Sequence, residues 1–61
     1  MTITEIIEKK LAENNVRING ALFLKFNETE TKVTVYDMNM TTFSRKKIAF
    51  YLVPFNNLIL A

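Results

Sequence analysis

Residues 2–26 read TITEIIEKKLAENNVRINGALFLKF, and a change of period inside this stretch decides the fold. In its first half, Ile3, Ile6, Ile7 and Leu11 recur at helical spacing and form one apolar face. Thr2 and Glu5 stand as an S/T-x-x-E capping box, in which each side chain satisfies a free backbone N–H of the other. Met1 and Ile6 occupy the positions of a hydrophobic staple. Glu5–Lys9 and Lys9–Glu13 are opposite charges one turn apart on the other face. Asn14-Asn15 stops the pattern, because Asn tolerates the left-handed conformation that ends helices. A helix is predicted over 2–14. From Val16 the period is two, and a strand is predicted over 16–26. Asn19-Gly20 interrupts it as a hairpin turn or as a bulge within one long strand.

Working outward, Asn27 to Thr31 is a polar loop, and 32–38 alternates again. Residues 40–43 read as a short strand, Ser44-Arg45-Lys46-Lys47 as a solvated turn, and 48–53 as a strand apolar on both faces. Pro54 ends that strand, since it has no N–H to donate, and Leu58-Ile59-Leu60 forms a last short one. The expectation is a single α+β domain over 1–61. A helix precedes four to five antiparallel strands, which form a small, strongly bent sheet or a small barrel.

Composition narrows the chemistry. The 61 residues are 49% hydrophobic, with net charge +2, one Gly, one Pro, and no Cys, His or Trp. Without Cys or His there is no thiolate nucleophile, no usual general base and no common zinc ligand. The carboxylates Glu5, Glu8 and Glu13 follow the solvent side of the helix, and Glu28 and Glu30 sit in a loop. Asp37 reads as a turn residue bonding nearby backbone. No enzymatic activity, metal site or cofactor is therefore expected. No apolar run approaches the ~20 residues of a membrane span. The start Met1-Thr2-Ile3-Thr4-Glu5 also lacks the basic and apolar regions of a signal peptide. A cytoplasmic protein without membrane contact is the expectation.

Arg45, Lys46 and Lys47 are the one basic cluster, with Phe43 and Tyr36 close in sequence. Such a cluster contacts phosphates while aromatics stack on bases, so nucleic acid or a nucleotide is one expected partner class. Phe23, Tyr36 and Tyr51 are placed on the second strand faces. A chain of this size struggles to cover both faces of its sheet, so Phe23 and Tyr51 read as interface residues. Leu58, Ile59 and Leu60 form an uncharged apolar edge and join them. A homo-oligomer is expected. The other functional class is a protein-interaction module, a small adaptor or inhibitor of the kind mobile elements encode, acting on a protein target through an edge strand or apolar face.

Two short stretches resemble the signatures of the Sm/Hfq-like small barrels. They are Val35-Tyr36-Asp37-Met38-Asn39-Met40 and the run from Leu52 to Leu60. The resemblance implies a five-stranded barrel whose subunits pair edge strands into a ring, with RNA near two turns. It assigns base contacts to Asn39 and Asn56 and a turn-bracing role to Asp37. Pro54-Phe55 stands where that family has Arg-Gly, and the glycine of the first signature is absent.

Overall fold

The computed structural model describes residues 2–61. Helix α1 (Ile3–Glu13) is followed by four strands, β1 (Ala21–Phe26), β2 (Lys32–Met38), β3 (Arg45–Leu52) and β4 (Asn57–Leu60). A 3-10 turn, Val53–Phe55, joins the last two. The strands form one antiparallel sheet in the order β1-β2-β3-β4. The α+β class and the helix-first order are as expected. The sheet is open, with β1 and β4 as its edges, so the barrel alternative does not form.

Both ends of α1 are closed by local chemistry. Thr2 Oγ1 accepts from the Glu5 amide at 3.3 Å, and Glu5 Oε1 accepts from the Thr2 amide at 3.2 Å, which completes the capping box. The Met1 half of the staple lies outside the described residues. At the other end Asn15 is left-handed, with φ 60°. The Asn15 amide donates to the Ala12 carbonyl and the Val16 amide to the Leu11 carbonyl. This pair of bonds is a Schellman motif with Asn in the usual glycine place.

One face of the sheet packs on the helix. Ile7 and Leu11 are buried against Val33, Val35, Ala49 and Tyr51. Ile3, Ile6, Leu22, Leu24 and Leu58 pack around them, half-buried. Three expectations for the strands are corrected. First, the segment before Asn19-Gly20 is not strand, and β1 begins only at Ala21. Asn19 and Gly20 form a bend whose amides donate to the two Asp37 carboxylate oxygens at 3.0 and 2.9 Å. A Cβ on Gly20 would collide with the Met38 carbonyl, so the close approach of this bend to β2 requires glycine. Second, residues 40–43 are loop, not strand. The Asn39 side-chain oxygen accepts from the amides of Thr41 and Thr42, which offers this backbone an alternative to a ladder. Third, Arg45, Lys46 and Lys47 are not a turn; they open β3, paired with Met38, Asp37 and Tyr36.

The third correction has a structural partner. Between Val35 and Tyr36 the β2–β3 register shifts: Val35 opposes Ala49, whereas Tyr36 opposes Lys47. Ile48 is the extra residue of a β-bulge. On its C-terminal side Ala49 and Tyr51 face the core, and on its N-terminal side Arg45 and Lys47 face away from it. Among the described residues no helix is long and apolar enough to cross a membrane.

Candidate nucleic-acid interface

The sheet face turned away from α1 has a defined composition. Directly opposed residues in a ladder point to the same side. Phe23, opposite Tyr36, and Lys25, opposite Thr34, therefore share this outer face with Lys47, Phe50 and Arg45 from β3 and with Lys32 of β2. Ile59, opposite Phe50, extends it onto β4. The face thus carries four cations, Lys25, Lys32, Arg45 and Lys47, interleaved with three aromatic rings, Phe23, Tyr36 and Phe50. Among the described residues its strand positions include no carboxylate.

Phe23 and Tyr36 meet edge to face, with centroids 5.9 Å apart and ring planes at 61°. The Arg45 guanidinium lies over both, 4.8 Å from the Phe23 centroid and 5.7 Å from that of Tyr36. Lys32 and Lys47 place their ammonium groups 4.4 and 5.4 Å from the Phe50 centroid. The cations are exposed and the rings half-buried beneath them. This explains how a strand apolar on both faces is accommodated by one helix: the second face is covered by charged side chains rather than by a second layer. Each cation–π contact at such a site contributes ~0.5–1 kcal/mol, an amount a phosphate or a base can displace.

The sequence-predicted residues divide accordingly. Phe23, Tyr36, Arg45 and Lys47 come together on the outer face. Lys46 opposes Asp37 and belongs to the other side of the sheet. Phe43 lies two positions before Arg45 in the β2–β3 loop, 66% exposed, with φ 58°. Asn39 braces that same loop through its side-chain oxygen. Asn56 is at the opposite end of the sheet, in the 3-10 turn; it is left-handed, and its side-chain oxygen accepts from the Tyr51 hydroxyl. Tyr51 does not lie on the second face as expected: it is 3% exposed and sits in the core on the helix side. Leu58 is half-buried on the core side, while Ile59 and Leu60 are exposed.

Sequence reasoning missed Phe50, Lys25 and Lys32. In the run from Ile48 to Val53 either parity is apolar, so alternation alone does not choose between Phe50 and Tyr51 for the outer face. The usable signal was Asn56, five residues after Tyr51, which satisfies a buried phenol. A cleft of about 470 Å3 opens at one end of the sheet, lined in part by Asp37, Asn39, Arg45 and Lys46. Its carboxylate already accepts two backbone amides. Among the described residues no group of three or more His, Cys, Asp or Glu gathers to hold a metal. In comparisons with known proteins, no family model, curated protein or solved structure matches this chain.

Proposed function

We propose that the chain is a non-catalytic protein that binds single-stranded nucleic acid on the outer face of its sheet. The observation that carries this reading is the carboxylate-free interleaving of four cations with three rings on one face of the sheet. Stacking on an aromatic requires a base whose face is free, which a duplex does not offer, so single strands are the fitting ligand. The mechanism is an exchange. In the free protein Arg45, Lys32 and Lys47 cover the rings. Phosphates draw these cations off, and bases take the vacated ring faces. Neither half of the exchange leaves a charge or an apolar surface uncompensated.

The test is fluorescence anisotropy of a labelled 12-nucleotide single strand, as RNA and as DNA. Saturable binding at 50 mM salt is expected. Its affinity should fall with a log–log salt slope of about −3 if all four cations engage phosphates, at ~0.7 per contact. Tyr36→Ala and Phe50→Ala should each weaken binding by about 5- to 100-fold, the range for loss of one stacked base. Absence of binding at 100 µM protein, or binding indifferent to both substitutions, would refute the proposal.

A further inference from the structure

The β4 edge is built differently from the β1 edge. β1 carries Lys25, a charge of the kind that discourages strand pairing. β4 and its flanks, residues 56–61, carry no charged side chain and no proline. Ile59 and Leu60 are 45% and 48% exposed, so about half of each side chain is open.

The backbone of β4 has a definite phase. The Ala61 amide donates to the Ile48 carbonyl at 3.0 Å, and Ile59 and Asn57 oppose Phe50 and Leu52 two and four positions along. In an antiparallel ladder alternate residues bond to the same neighbour. Residues 57, 59 and 61 therefore turn their N–H and C=O groups toward β3, and Leu58 and Leu60 turn theirs to the open side.

We infer that a second copy of this chain pairs with β4, antiparallel, about a two-fold axis through Ile59. That register sets Leu58 opposite Leu60 of the second copy and Leu60 opposite its Leu58, so all four outward-facing residues form hydrogen-bonded pairs. The edge has no charged side chain to repel its own image, and pairing it with itself closes the assembly at two copies. The axis runs perpendicular to the sheet, so both outer faces lie on one side of a continuous eight-stranded sheet. Ile59 meets its own copy in the closely spaced, non-hydrogen-bonded position, where Cα atoms stand ~4.5 Å apart. A four-residue strand buries little area, so the dimer should be weak, dissociating in the range of about 10–500 µM. The inference does not depend on nucleic-acid binding.

The chain has no cysteine, which gives a clean test. Ile59→Cys places two thiols within disulfide reach across the axis, whereas Asn57→Cys and Phe26→Cys, on the opposite edge, do not. Each variant is incubated at 300 µM with a mild oxidant, and wild type is run by sedimentation equilibrium at the same concentration. The expected result is a concentration-dependent mass that rises above one chain toward two, with rapid cross-linking of Ile59→Cys and slow cross-linking of the two controls. Ile59→Lys should sediment as a monomer with an unchanged circular dichroism spectrum. A wild-type monomer at 500 µM, equal cross-linking of all three thiols, or a dimer that persists in Ile59→Lys would each overturn the inference.

Discussion

Asp37 holds the start of β1 in place, since the amides of Asn19 and Gly20 both end on its carboxylate. Asp37→Ala is expected to cost about 1–3 kcal/mol in urea unfolding, because it removes two charge-assisted bonds. Asp37→Asn, which keeps one acceptor oxygen, should cost less. An Asp37→Ala protein as stable as wild type would show that the bend does not need the tether. Gly20→Ala should destabilise by a comparable amount, since the added methyl can be relieved only by moving β1 away from the Met38 carbonyl. Asn15 makes the opposite test. Its φ of 60° suits glycine, so Asn15→Gly should stabilise slightly and Asn15→Ala should cost about 1 kcal/mol, both measured by the urea midpoint. The sequence marked Asp37 as a backbone-bonding aspartate but not its partners, which lie 18 and 17 residues away.

At the level of elements, what could be read in advance was what local chemistry determines. The capping box and Asn14-Asn15 bracket α1 within one residue at each end. The alternation over 32–38 coincides with β2, Lys32–Met38. What escaped was decided by pairing. Arg45-Lys46-Lys47 has the composition of a turn, yet it is strand because β2 continues opposite it as far as Met38. The outer face was only half legible for the same reason: Phe23 and Tyr36 follow from parity, whereas Phe50 and Lys47 share a side only because the ladder slips at Ile48. The helix is the element on which the whole core rests, since Ile7 and Leu11 are 0% and 2% exposed. Truncating either to Ala should cost about 2–5 kcal/mol. A core this small supplies little more than ~3–5 kcal/mol in total, so Ile7→Ala is expected to be largely unfolded at 37 °C by circular dichroism.

The molecule as a whole is electrically two-sided. Three of its six carboxylates, Glu5, Glu8 and Glu13, ride on α1, while four of its eight cations lie on the far side of the sheet. A net charge of +2 therefore understates the field that a phosphate chain meets on approach to the outer face. Lys47→Glu should weaken oligonucleotide binding and reduce the salt slope by more than one contact, while Lys9→Glu, on the helix, should leave the slope unchanged. Equal effects of the two would mean that net charge rather than the arrangement matters. The bulge at Ile48 shields that arrangement from one small genetic event. Loss of the single codon for residue 48 would set Lys47 directly before Ala49, and strict alternation would then keep Arg45 and Lys47 on the outer face as the bulge vanished. In a lineage of such chains, an in-frame loss of three nucleotides at that codon would therefore leave the binding face intact. Gaps between related chains would then collect at this position, where the third strand gains or loses a residue without exchanging its two sides.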